Sequence, residues 1–144
     1  MNELDNLIRV GEVDGINERE GTVRVTFPDR DDMVAEDLAL FSSEQWFPQI
    51  NESVVCLFLP NGLQQGFCLG PYFNNENPPP IPNKNKYVKK FNDGLTLEYD
   101  LQNKQLTISA ENPMTINSSI TSNGDLTVNG NLTVTGIISG TISN

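Results

Sequence analysis

The sequence contains no histidine among its 144 residues. Histidine is the commonest general acid or base near neutral pH, and it activates the serine or cysteine of most nucleophile pairs. The two cysteines, Cys56 and Cys68, lie in apolar stretches without a neighbouring base. We interpret them as buried thiols in a reducing compartment rather than as nucleophiles or a disulfide. The composition therefore argues against nucleophilic catalysis, and we expect no enzymatic activity.

Carboxylates are the remaining candidates for site chemistry. Asp29, Asp31 and Asp32 are close enough in sequence to suggest a paired acid and base or a cation site. They belong to a charge-rich turn after Pro28, however, and such a turn is typical of a solvated loop. We therefore predict no catalytic residue, no metal site and no cofactor.

Long apolar runs and basic residues are also scarce. No stretch of 18 apolar residues is present, and the polar first six residues are not followed by an apolar segment, so we expect neither a membrane helix nor a signal peptide. Residues 1–80 contain 4 Arg or Lys and 14 Asp or Glu. Because an acidic surface repels phosphate, we expect no nucleic-acid binding.

The first half of the chain has the pattern of short strands. Asn, Gly, Thr and Ser are plentiful, which favours strands and turns over long helices. In TVRVTF (22–27) apolar and polar residues alternate, as they do in a half-buried strand. The run VVCLFLP (54–60) is continuously apolar and predicts a strand in mid-sheet or one covered on both faces. About five such strands predict an all-β fold that begins with a small closed barrel.

A proline-rich segment interrupts this pattern. Pro78, Pro79 and Pro80 cannot donate ladder hydrogen bonds, so we place a domain boundary there. We predict a barrel domain at 1–77, a linker or collar at 78–90 and a tail domain at 91–144. The basic stretch KNKYVKK (84–90) is interpreted as a collar that offsets the acidic barrel, with contact to phosphate or an acidic partner as the alternative.

The tail carries one long apolar face. From residue 106 onward almost every apolar residue has an even number, and only Pro113 and Ile137 depart from this parity. We call the large members of this set the even row: Leu106, Ile108, Met114, Ile116, Ile120, Leu126, Val128, Leu132, Val134, Ile138 and Ile142. Three glycines recur every six residues and are predicted to form repeat turns: Gly124, Gly130 and Gly136.

A single tail offers nothing that would bury the even row. Ordering a residue costs about 1–2 kcal/mol of backbone entropy, which the apolar side chains offset only if they leave water. Three identical chains wound about a common axis would each turn the row inward and pair their backbones with one another. We therefore predict an intertwined, triple-stranded β-helix in a homotrimer. Hexapeptide-repeat acyltransferases also repeat every six residues, but their histidine and their many coils are absent here.

Several segments, taken in order, resemble the phage baseplate assembly protein V family, which forms the central spikes of contractile tails. The matching segments are Val23–Pro28, Trp46–Pro48, Val55–Phe58 and Gly66–Tyr72, followed by the proline-rich linker. The tail sequence LTVNGNLTVTG (126–136) resembles the trimeric β-helix of the same family.

The resemblance implies an OB-fold barrel followed by a homotrimeric β-helix that pierces the target cell envelope when the sheath contracts. It implies a position at the baseplate tip of a virion, a phage-tail-like bacteriocin or another phage-like particle, assembled in the bacterial cytoplasm. The implied partners are tail hub, tube and baseplate proteins. The alternative is a trimeric receptor-binding or carbohydrate-binding tail fibre module. The absence of aromatic residues from 105 to 144 favours the spike.

Two features of the resemblance leave alternatives open. Many family members bind iron at the tip through a His-x-His motif, and this sequence has none. Either Ile137, Ile138 and Ile142 close the trimer as an apolar plug, or a separate tip-capping protein covers a blunt end. Similarly, Trp46 and Phe47 are either a contact for a hub protein or part of core and subunit packing.

Overall fold

A computed structural model of the chain describes residues 7–61 and 65–141, which separate into two compact units, Met1–Lys86 and Tyr87–Asn144. The first unit is a closed barrel whose strands follow the order β1-β2-β3-β5-β4. Neighbouring strands are antiparallel except β3 and β5, which are parallel. The five strands are β1 (Ile8–Asn17), β2 (Thr22–Phe27), β3 (Met33–Leu40), β4 (Ser53–Phe58) and β5 (Gly66–Pro71).

The predictions of an all-β chain and of a small closed barrel are confirmed. The only helix assigned in the described residues is a short 3-10 helix, Pro28–Arg30, between β2 and β3. In β2 the alternation read from the sequence matches the burial, because Val23, Val25 and Phe27 all point into the barrel. Closure joins β4 to β1, so every strand of the barrel has a neighbour on both sides.

The barrel core is built from the inward face of each strand. Phe27 and Phe58 meet edge to face, with ring centroids 5.7 Å apart and planes at 64°. The guanidinium of Arg9 covers the Phe58 ring at 4.7 Å from its centroid. The buried apolar side chains are Val13, Val23, Val25, Phe27, Ala35, Leu38, Val54, Cys56, Phe58 and Cys68.

One glycine is required by close packing in this core. A Cβ at Gly11 in β1 would lie 2.6 Å from the carbonyl oxygen of Thr26 and 2.6 Å from Val25 Cγ1. No side chain fits at that distance without moving the backbone of β2. Gly11 therefore allows β1 to cross closely over the end of β2.

The second unit contains a three-stranded sheet in the order β6-β7-β8. Its strands are β6 (Lys86–Lys90), β7 (Thr96–Asp100) and β8 (Gln105–Ser109). Strand β6 thus occupies the last five residues of the segment predicted as a linker. The described residues after Ser109 belong to no strand or helix within the single chain.

The hairpin of β7 and β8 explains a change of parity in the sequence. Leu97 lies opposite Ile108, and Tyr99 lies opposite Leu106. The apolar residues therefore change from odd to even numbers at the turn but stay on one face of the hairpin. In the turn, the carboxylate of Asp100 accepts hydrogen bonds from the backbone N–H groups of residues 102 and 103, at 2.9 and 3.1 Å.

Candidate functional site

The even row is the main candidate site, and all of its described members are exposed in the single chain. The exposed fraction ranges from 45% at Val128 to 78% at Leu126. Ile142, the last predicted member, lies outside the described residues. Apolar surface of this extent is unusual on a monomer, which makes the even row a candidate interaction surface.

The row begins on the face of the β7–β8 hairpin. Leu106 and Ile108 share that face with Leu97 and Tyr99, and Leu106 is 64% exposed. The hairpin fixes the direction of its side chains through paired backbone groups, so the first members of the row lie on regular strand backbone. The row continues from there along a segment that pairs with no strand among the residues that the structure describes.

Charge is absent from the even-numbered positions of the tail after Lys104. After Lys104 the two charged residues are Glu111 and Asp125, and both have odd numbers. The other odd positions carry mostly Thr, Ser and Asn. A surface made by the even side therefore contains no ionised group that would have to be desolvated on burial.

The backbone bends at each of the three predicted repeat turns. The bends fall at residues 123–124, 129–130 and 135–136, each ending on one of the glycines. A Cβ placed on Gly124, Gly130 or Gly136 would meet no atom of the single chain within 4 Å. Packing within one chain therefore gives no reason for glycine at these positions, and their role as turns of a repeat stays a prediction.

Trp46 and Phe47 lie beside a groove on the barrel. The groove has a volume of about 520 Å³ and lies between the β1–β2 turn and the segment that follows β3. Trp46 is 43% exposed, and its ring lies 3.4 Å from the position of a Cβ on Gly70. The tryptophan therefore covers β5 with one part of its ring and keeps the rest accessible. A contact with a hub protein stays a prediction.

The barrel carries a second apolar surface, which sequence reasoning missed. The outward positions at the start of β1 and most of those along β4 and β5 are apolar, and we call the following residues the barrel patch: Ile8, Val10, Val55, Leu57, Phe67 and Leu69. The exposed Glu12 and Asp14 of β1 and the half-buried Ser53 of β4 lie at its border. Two signals in the sequence could have found it. In β1 the apolar Ile8 and Val10 have the opposite parity to the buried Val13. In β4 the predicted apolar run has one face buried and the other at least partly open.

The cysteines form a buried cross-strand pair. Cys56 and Cys68 lie directly opposite each other in β4 and β5, and both are free thiols, so the prediction of buried thiols is confirmed. The hydrogen bond to Cys68, together with burial, raises the pKa of the Cys56 thiol. A thiol with a raised pKa is a poor nucleophile at neutral pH.

The acidic turn after β2 has the geometry of a loop. Asp31 and Asp32 both adopt left-handed backbone, at φ 54° and 55°. Within residues 7–61 and 65–141, no group of three His, Cys, Asp or Glu side chains is arranged to hold a metal ion. In the same part of the chain, no helix is long and apolar enough to cross a membrane.

Comparison with known proteins supports a relationship to phage spikes. The chain is 28% identical over 74 residues to a protein of Escherichia phage P2 described as "Spike protein". The match covers 51% of this chain and 35% of that protein, so the matched region spans about a third of the relative's length. No protein-family model matches the chain. The similarity supports the resemblance to phage spike proteins at this general level.

Proposed function

We propose that the chain is the structural central spike of a contractile phage tail or phage-tail-like particle. The observation that carries the proposal is the even row, an uncharged apolar face that the single chain leaves exposed from Leu106 to Ile138. A spike needs a stiff, uniform shaft, and a repeat that adds one step every six residues suits that need.

Burial of the even row requires other copies of the chain. With three copies about one axis, each row would face inward and the Thr, Ser and Asn of the odd positions would face water. Backbone groups of the described tail residues that belong to no strand of the single chain would then pair between chains, as in other assemblies where an open strand gains a neighbour. The result is a homotrimeric β-helix over the tail.

The barrel suits the role of an attachment domain. Its five strands, its order β1-β2-β3-β5-β4 and its parallel β3–β5 pair support an OB-fold. In the proposed particle this domain binds the hub, tube or baseplate proteins, and Trp46 at the edge of its groove is a candidate contact. The matched protein of phage P2 is described as a spike, which supports a location at the tail of a virion.

We further propose that the chain acts without catalysis. Its cysteines are buried opposite each other rather than beside a base, and the sequence has no histidine to activate a hydroxyl or thiol. On this proposal, force comes from sheath contraction, and the chain contributes a narrow, rigid shaft that penetrates the target envelope. A separate tip-capping protein or an apolar plug at Ile137 and Ile138 would close its end.

Electron microscopy of purified tail particles tests this function directly. A gold-labelled antibody against the barrel should mark one site per particle, on the tail axis at the baseplate. Labels at several positions around the baseplate rim would contradict the spike and favour a tail fibre module instead. Particles lacking the chain should still contract but should no longer permeabilise target cells. Unchanged permeabilisation would also contradict the piercing role.

A further inference from the structure

The barrel patch lies across three adjacent strands. Ile8 is directly opposite Leu57 in the β1–β4 pair, and Leu57 is directly opposite Phe67 in the β4–β5 pair. The ring of Phe67 continues to Phe41, with centroids 6.3 Å apart. Ile8 is 65% exposed, and this row therefore forms a continuous apolar stripe on the outside of the barrel.

The opposite side of the barrel is polar. The outward positions of β2 include Arg24 and Thr26, and those of β3 include Glu36 and Asp37. The barrel patch is therefore uncharged, whereas the outward positions of β2 and β3, together with Glu12 and Asp14 farther along β1, carry charge. At the start of β1 the charged residue lies inside and the apolar residues lie outside. Arg9 points inward over the Phe27 and Phe58 rings, whereas Ile8 and Val10 point outward.

We propose that the barrel patch is an interface between copies of this chain, which joins the three barrels to one another. This inference rests on the proposed trimer and adds to it a second contact, separate from the even row. It assigns the patch to a copy of the same barrel rather than to a different protein.

Charge is the first reason for this choice. Residues 1–80 carry a net charge of −10, from 4 basic and 14 acidic residues, so identical barrels repel one another at most orientations. The patch contains no ionised side chain, and copies that meet through it can keep Glu36 and Asp37 in water. A basic partner would instead be attracted to the acidic side of the barrel.

Tethering is the second reason. The barrel unit ends at Lys86 and the tail unit begins at Tyr87, so a direct covalent connection tethers each barrel to its own tail. In the proposed trimer this tether holds three patches at an effective concentration in about the millimolar range. A contact too weak to form between free barrels would then be populated.

Thiol labelling of the full-length chain tests the inference. Val10→Cys places a thiol in the patch, and the matched control Val34→Cys makes the same change on the outward face of β3. The two valines are similarly exposed in the single chain, at 47% and 40%. Ile8→Cys provides a second patch position near the start of β1, where a substitution disturbs the barrel least. The unsubstituted chain, with its two buried thiols, gives the background rate.

The expected result is that a maleimide labels Val10→Cys and Ile8→Cys roughly tenfold or more slowly than Val34→Cys, a factor that corresponds to about 1.4 kcal/mol of protection. Light scattering on the same samples separates the two proposals. A trimer with equal labelling rates would overturn the barrel interface and leave the even row as the only trimer contact proposed. A monomer would overturn the trimer and with it this interface, whatever the labelling rates.

Discussion

The barrel and the tail follow the same alternating pattern but bury their apolar residues differently. In β2 the alternate residues Val23, Val25 and Phe27 are almost fully buried within one chain. In the tail, alternate residues such as Leu126 and Leu132 are 78% and 67% exposed. Period-two alternation therefore predicts that a face is to be covered, but it does not predict which molecule covers it.

The largest expected effect comes from a charge in the tail. Ile116→Asp would bring three carboxylates together on the dry axis of the proposed trimer, so we expect the tail to dissociate while the barrels stay folded. The matched control is Thr115→Asp, one residue away on the odd face, which should leave the trimer intact. Light scattering gives the mass of both variants. Equal masses for the two would contradict inward placement of the even row.

The second effect concerns the barrel alone. Phe27→Ala removes a fully buried ring that packs on Phe58, and we expect a loss of about 3–5 kcal/mol in the free energy of barrel unfolding. Phe73→Ala is the matched control, because Phe73 is 69% exposed and should cost far less. Chemical denaturation followed by tryptophan fluorescence measures both, since Trp46 lies in the same unit. A small loss for Phe27→Ala would contradict the assigned core.

A smaller loss of barrel stability is expected when Gly11 of β1 is replaced, with Gly15 of the same strand as the control. Gly11→Ala would force a methyl group against the Thr26 carbonyl and Val25, so the barrel should lose about 1–3 kcal/mol of unfolding free energy. At Gly15 the nearest atom to an added Cβ is Arg24 Cβ at 3.4 Å, which is ordinary contact. Gly15→Ala should therefore change stability little. Thermal unfolding of both variants makes the comparison, and similar midpoints would argue against the close crossing of β1 and β2.

The smallest effect is a pH dependence of barrel stability that arises from the surface ion pair of Asp14 and Arg24. Hydrogen bonds from Arg24 hold the pKa of Asp14 below its ordinary value, with Arg24 Nη2 at 3.0 Å from Asp14 Oδ1. Because the pKa of Asp14 is lower in the folded than in the unfolded chain, the ion pair stabilises the fold at pH values above the pKa of unfolded Asp. This stabilisation is lost as the pH falls through the lower pKa of the folded state. The Asp14 side chain is 40% exposed and screened by water, so the effect should be slight. Midpoints of thermal unfolding between pH 2 and 6 should fall less steeply in Arg24→Gln. Parallel curves for the two proteins would contradict this ion pair.

The sequence predicted the barrel well because its evidence is local. Alternation in TVRVTF and the turn residues around each strand indicate where strands begin and which side is buried. The closed order with its parallel β3–β5 pair depends on contacts between distant segments, which a single sequence does not display. VVCLFLP was predicted to form a strand in mid-sheet or one covered on both faces. The mid-sheet position is confirmed, because β4 lies between β1 and β5, but the single chain covers one face only, and the barrel patch was missed because the other face was not considered.

For the candidate site, the sequence predicted the even row through its parity alone. The β7–β8 register gives the physical reason for the change of parity before Leu106, which the sequence showed only as a pattern. The structure of one chain tests neither the role of the three glycines as repeat turns nor a hub contact at Trp46, because both predictions concern contacts with other molecules.

The mass of the unmodified full-length chain in solution tests the central claim most directly. Light scattering should give three times the chain mass of 16.0 kDa at micromolar concentration, because only a threefold assembly is proposed to bury the even row. A mass of 16.0 kDa would mean that the row stays in water or is covered in some other way, and it would contradict the trimeric spike.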